Sequence, residues 1–118
     1  MQDLQSRTRR FAVDILRFCS TLPSPEAYRI IARQLGRAGT SVGANYRAAC
    51  RGKSKKDFIA KLGIVEEEAD ESRYWLEVLR EIDEEQQIGR DDLELLYAEA
   101  GEILAITVAS IRTARRSN

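Results

Sequence analysis

The sequence predicts an all-α chain folded as an antiparallel, up-down-up-down four-helix bundle, one domain over residues 1–118. Three observations lead there. Apolar residues recur at steps of three and four along four separate stretches, the spacing that gathers them on one side of a helix. Short clusters rich in proline, glycine and serine or glutamine separate the stretches. The composition, 43% apolar and 32% charged with two prolines, suits amphipathic helices with solvated outer faces.

The first helix is predicted from Leu4 to Thr21, with Leu4, Thr8, Phe11, Ile15, Phe18 and Leu22 on one stripe. Leu22-Pro23-Ser24-Pro25 ends it, because Pro23 disfavours α geometry at Leu22. Ser24 is the expected N-cap of the second helix, with Pro25 in its first turn. That helix is predicted to reach Arg51, with Tyr28, Ile31, Leu35, Ala38, Val42 and Ala49 inward. Ala32, Gly36, Gly39 and Gly43 form a smooth strip along it. Each helical glycine costs about 1 kcal/mol against alanine, so the strip predicts either close approach of another helix or a break between Gly36 and Gly43.

Gly52-Lys53-Ser54 makes the next turn, and Ser54 with Asp57 has capping-box spacing. In the third helix Phe58, Leu62, Val65, Ala69, Ser72, Leu76 and Leu79 follow a heptad, and Ile64, Trp75, Val78 and Ile82 form a second row beside it. Together the rows cover an arc of roughly 200°, about twice what one partner surface needs. The second row, with Arg73 and Tyr74, is therefore the expected subunit interface, since Trp, Tyr and Arg dominate such contacts. Gln86-Gln87-Ile88-Gly89 closes the helix. Asp91 and Glu94 have capping-box spacing, and a fourth helix is expected from Asp92 to Ala114. Short turns force antiparallel neighbours.

Net charge is zero, yet the two halves differ. Up to Lys55 there are eleven basic and three acidic residues; from Lys56 onward there are eight and sixteen. Up-down-up-down topology collects Arg7, Arg9 and Arg10, then Arg51, Lys53, Lys55 and Lys56, then Arg112, Arg115 and Arg116 toward one end. Glu81, Asp83, Glu84, Glu85, Asp91 and Asp92 go to the other. The basic end is a candidate nucleic-acid surface, because cationic clusters bind phosphates; such charge also simply suits helix termini. The first helix is shorter than the second and third, which leaves open whether it reaches that end.

The chain contains no histidine. That excludes Ser-His-Asp and Cys-His nucleophilic sites, histidine-containing zinc sites and the Glu-x-x-His motif of di-iron bundles. The acidic run Glu66-Glu67-Glu68-Ala69-Asp70-Glu71 points in several directions along a helix and reads as ion-paired or solvated. No cofactor, metal or catalytic residue is expected, and the chain reads as non-enzymatic. Cys19 and Cys50 read as reduced thiols. No signal-peptide pattern opens the sequence, and the longest apolar run, Ile103 to Ile106, is far too short for a bilayer. A cytoplasmic protein without membrane contact is the expectation.

The stretch from Gln34 through Gly36-Arg37-Ala38-Gly39 and Asn45-Tyr46-Arg47 to Arg51, the Ser54…Asp57-Phe58 helix start and the Glu71-Ser72-Arg73-Tyr74-Trp75 segment carry a resemblance, joined by Phe11, Ile15, Leu22 and Pro23. Together they resemble the bacterial four-helix-bundle family encoded by intervening sequences within large-subunit ribosomal RNA genes. The pattern is also similar to the accessory variability determinant of diversity-generating retroelements. The resemblance implies a ring-like homopentamer, and the second likeness a reverse transcriptase with RNA or DNA as partners; the wide apolar arc of the third helix and the two charged ends lead to the expectation of a ring-forming interaction scaffold.

Overall fold

The computed structural model describes residues 3–117. Its four helices are α1 (Leu4–Ser20), α2 (Glu26–Cys50), α3 (Lys55–Ile82) and α4 (Arg90–Arg116), and among the described residues there is no strand. Each helix packs on its two neighbours in the order α1–α2–α3–α4–α1, and the backbones of the diagonal pairs stay more than 8 Å apart, meeting only through core side chains. That is the cross-section of an up-down-up-down bundle, as the periodicities predict, drawn out to 53 × 22 × 20 Å.

The heptad of α3 goes inward as expected: Leu62, Val65, Ala69, Leu76 and Leu79 are inaccessible to solvent. All but Leu62 join Phe11 and Ile15 of α1, Leu35 and Val42 of α2, and Leu93, Ala100 and Ile103 of α4 in one core. The glycine strip is a contact and not a break, for α2 is continuous. A Cβ on Gly39 would lie 2.8 Å from Cγ2 of Ile15, and one on Gly43 would lie 3.1 Å from the Thr8 carbonyl oxygen. The absence of side chains there lets the α1 and α2 backbones close together.

Three local expectations need correction. Pro25, not Ser24, is the N-cap of α2, and no side chain caps that end. The N-cap of α4 is Gly89, so Asp91 falls inside the first turn and no Asp91–Glu94 box forms. Its carboxylate and that of Asp92 instead sit at the positive end of the helix dipole. Asp83 does not join an acidic surface; it is 2% exposed. Its carboxylate accepts from the backbone N–H of Gln87 (2.9 Å) and Ile88 (3.2 Å), holding the α3–α4 turn. The Ser54 cap is as expected, accepting from the Asp57 N–H at 3.1 Å.

The 17 residues of α1 face α4 with its 27. Asp3 caps α1, its carboxylate accepting from the Ser6 N–H at 2.7 Å. Arg7 then bonds Glu99 and Glu102 near the middle of α4. Beyond that level the core is a separate cluster of Ala49, Leu62 and Ile111, drawn from α2, α3 and α4 alone. Among the described residues the bundle is thus four-helical over most of its length and three-helical at the end where α4 finishes.

Candidate functional site

The second row of α3 comes together on the flank facing α2. Trp75, Val78 and Ile82 pack partly against the core and remain partly exposed, while Ile64 is exposed farther along. The Trp75 indole N–H donates to Oε2 of Glu71 at 3.1 Å. Arg37 of α2 bonds the same Glu71 and, at 2.9 Å, Glu68. Burial pushes the Glu71 carboxyl upward, but the Trp75 and Arg37 donors outweigh it and its pKa lies below the usual range. Tyr74 stands outside this row, 54% exposed, its ring edge-on to that of Trp75 at 5.0 Å. Ile30, exposed on α2, lies two turns before Arg37 on the same helix face. The register fixed by Tyr28–Asp83 and Arg37–Glu71 places it level with Val78 to Ile82.

Arg73 is not part of that surface. It lies on the opposite flank, against α4, with its guanidinium 4.4 Å from the centre of the Tyr97 ring. Arg80 covers the same ring at 4.7 Å and forms a two-pronged bond to Glu94, both contacts 2.9 Å. The Tyr97 hydroxyl donates to Glu77 at 2.8 Å. Nε of Arg73 is buried with no hydrogen-bond partner among the described residues. Sequence reasoning missed this Tyr97 clamp; the spacing of Arg73, Glu77 and Arg80 on one face was its only signal.

The ten candidate phosphate-binding residues divide. Arg51, Lys53, Lys55, Lys56, Arg112, Arg115 and Arg116 are exposed around the three-helix end, and none forms an ion pair among the described residues. Arg7 is elsewhere. Its Nε and Nη2 donate to the two Glu99 oxygens at 2.7 and 2.8 Å, and Nη2 reaches Glu102 at 2.8 Å. Hydrogen bonding to Glu99 raises its pKa despite burial. Arg10 pairs with Asp14 at 3.4 Å, and Arg9 is exposed on the same helix. From Glu102 to Arg115 is about 20 Å at 1.5 Å per residue, so these three are not at the basic end. Arg7 and Arg37 instead join the basic α1–α2 hairpin to the acidic α3–α4 hairpin.

Among the described residues no group of three or more Cys, Asp or Glu is placed to hold a metal ion. Among them, too, no helix is long and apolar enough to cross a membrane.

Comparison with known proteins accords with this geometry. A crystal structure of a protein with unknown function from the S23 ribosomal protein family of Bacteroides thetaiotaomicron VPI-5482 superposes with a TM-score of 0.83. It shares 33% identity over 92% of this chain and 98% of that one. No curated protein matches. The family model described as 23S rRNA-intervening sequence protein matches residues 2–109. With nearly the whole chain matched and the bundle shared, this chain belongs to the 23S rRNA-intervening sequence protein family.

Proposed function

We propose that the chain is a non-enzymatic, ring-forming homo-oligomeric scaffold, a homopentamer as the family resemblance implies, which engages a reverse transcriptase or another nucleic-acid enzyme. The observation that carries this reading is the α2–α3 flank. Ile30 and Ile64 are exposed there, and Trp75, Val78 and Ile82 are only partly covered by their own subunit. Apolar surface of that extent gains free energy when a second copy covers it, at roughly 25 cal/mol per Å². Light scattering on the eluting protein tests it: the expected mass is a multiple of the chain mass, and a clean monomer at micromolar concentration ends the reading. Ile64→Glu and Tyr74→Glu, both at exposed positions, are expected to lower the mass while circular dichroism stays helical.

A second reading is favoured by the exposed cations at the three-helix end, unpaired among the described residues: direct nucleic-acid binding by Arg51, Lys53, Lys55, Lys56, Arg112, Arg115 and Arg116. Gel shifts are expected to weaken steeply with salt, and neutralising Arg112, Arg115 and Arg116 together is expected to reduce the salt slope by about two to three. Absence of a shift at low salt excludes it.

A further inference from the structure

We infer that copies of this chain meet through two unlike surfaces: the ridge of α3 that faces away from the core on one copy lies in the furrow between α1 and α2 of the next. The inference rests on the scaffold reading, to which it adds the receiving face. A contact between unlike surfaces is the kind that closes into a ring.

Both surfaces are laid out as charge, apolar centre, charge, with opposite signs. On α3, Glu67, Asp70, Tyr74, Val78 and Glu81 follow at steps of three and four and so form one ridge. Tyr74 is 54% exposed and Val78 partly so; the three acids are exposed and form no ion pair among the described residues. The other charges of α3 lie elsewhere. Glu68 and Glu71 bond Arg37, while Arg73, Glu77 and Arg80 surround Tyr97 on the α4 side, with Glu66 two turns before Arg73. Lys55, Lys56, Asp57 and Lys61 belong to the first two turns. In the α1–α2 furrow the centre is Leu16, 52% exposed, whose Cδ2 lies 3.7 Å from the place a Cβ on Gly36 would take. Val13 is exposed one turn before it. Arg9, two turns before Leu16, and Arg29, two turns before Gly36, are exposed at its two ends and form no ion pair among the described residues. Beside Arg29, Arg33 bonds Glu26. The remaining acids of the hairpin are elsewhere: Asp3 caps α1, and Asp14 faces α4 beside Asp92 and Leu95.

The two patterns stand at the same heights along the bundle. The Tyr28–Asp83 and Arg37–Glu71 bonds fix the register of antiparallel α2 on α3. Counting along both helices from them, Arg29 stands level with Glu81, and Gly36 with its neighbour Leu16 stands level with Tyr74. Gly43, which packs on Thr8 beside Arg9, stands level with Glu67. A neighbour generated by rotation about an axis parallel to the bundle keeps every residue at its own height. With its α3 ridge in the furrow, it sets Glu81 against Arg29, Tyr74 against Leu16 and Glu67 against Arg9, with no shift along the bundle. Two ridges face to face, or two furrows, would oppose like charges, which costs affinity. Nucleic-acid phosphates would meet the arginines and leave Leu16 and Val13 uncovered.

Light scattering across a dilution series, with variants at exposed positions, tests the inference. Leu16→Asp is expected to raise the concentration at which the assembly dissociates at least about tenfold, the loss seen on disrupting an interface centre. Arg9→Glu with Arg29→Glu, and separately Glu67→Arg with Glu81→Arg, are each expected to lower the mass at micromolar concentration while circular dichroism stays helical. The variant carrying all four reversals is expected to regain the wild-type mass, because the signs are exchanged and still opposed. An assembly that Leu16→Asp and the Arg9 and Arg29 reversals leave intact overturns the inference, since the furrow is then free. The scaffold reading survives that result as long as Tyr74→Glu still lowers the mass. A fourfold variant that stays dissociated overturns the inference as well. A wild-type monomer ends the scaffold reading and this inference with it.

Discussion

The Tyr28 hydroxyl of α2 donates to Oδ1 of Asp83 at 3.0 Å, closing the acidic end of the bundle from the inside. Asp83 also accepts from the Gln87 and Ile88 N–H groups, so a single buried carboxylate serves a helix end, a turn and a neighbouring helix. Burial pushes the carboxyl upward, but the Gln87, Ile88 and Tyr28 donors outweigh it, and Arg90 adds to them. The net pKa is below the ordinary value. The stability from this site is therefore complete above an unfolded-state pKa of about 3.9 and is lost as pH falls through the folded value. Asp83→Ala is expected to cost about 2–3 kcal/mol at neutral pH, since two N–H groups lose their acceptor. Urea unfolding at pH 7 and pH 3 checks this: the difference between variant and wild type should shrink at the lower pH.

Gly39 and Gly63 should respond oppositely to alanine. A Cβ on Gly39 meets Cγ2 and Cγ1 of Ile15 at 2.8 and 2.9 Å, and Ile15 is fully buried with nowhere to move. Overpacking of this kind costs about 1–3 kcal/mol, more than the gain of about 1 kcal/mol from replacing a helical glycine. Around Gly63 a Cβ meets nothing within 4 Å, so only the gain remains. Gly39→Ala is expected to lower the melting temperature and Gly63→Ala to raise it. Equal shifts in both would mean that the α1–α2 contact is looser than the geometry describes.

The helices and their inner stripes were legible because burial imposes its period directly on the sequence, as the α3 heptad from Leu62 to Leu79 illustrates. The glycine strip was legible for a similar reason, since a cost at Gly39 and Gly43 implies a contact. Asp83 was not legible. It lies in an acidic run with Glu84 and Glu85, and only the path of the turn and a tyrosine far away in sequence decide that it faces inward. The α4 cap misled because Asp91 and Glu94 have the right spacing, yet Glu94 bonds Arg80 across the bundle. Arg73 and Trp75 were grouped by adjacency, but two helical steps turn a side chain through about 200°. The shortness of α1 was readable, but its register was not. Only the Arg7–Glu99 contact shows how far from the end of α4 it begins.

Arg7 offers a test of that register. Its planar fork meets both oxygens of Glu99 and reaches Glu102, a geometry that a lysine ammonium cannot reproduce. The site is partly exposed, so solvent screening limits its worth. Arg7→Lys is expected to cost about 0.5–1 kcal/mol. The difference should diminish in about 1 M salt, where exposed charges are screened within roughly 3 Å. Equilibrium urea unfolding at low and high salt reads both quantities; a difference independent of salt would assign the loss to packing of the arginine stem.

The two thiols should separate cleanly by reactivity. Burial pushes the Cys19 thiol up to about 11, where almost none is thiolate at neutral pH. Cys50, at the end of α2, is exposed. A disulfide reagent added to the native protein at neutral pH is expected to modify Cys50 promptly and Cys19 only after denaturant is added. Mass spectrometry of the partly labelled protein identifies which residue has reacted. The same shift has a consequence for stability. Because the folded Cys19 holds its proton more tightly than the unfolded thiol, its contribution is complete below about pH 8.5 and declines as pH rises through the folded value. Cys19→Ser should flatten that alkaline decline. An unchanged profile in the serine variant would show that the tyrosines govern the alkaline limit instead, Tyr28 being raised by burial and by its bond to Asp83 and Tyr46 pushed by burial up to about 12.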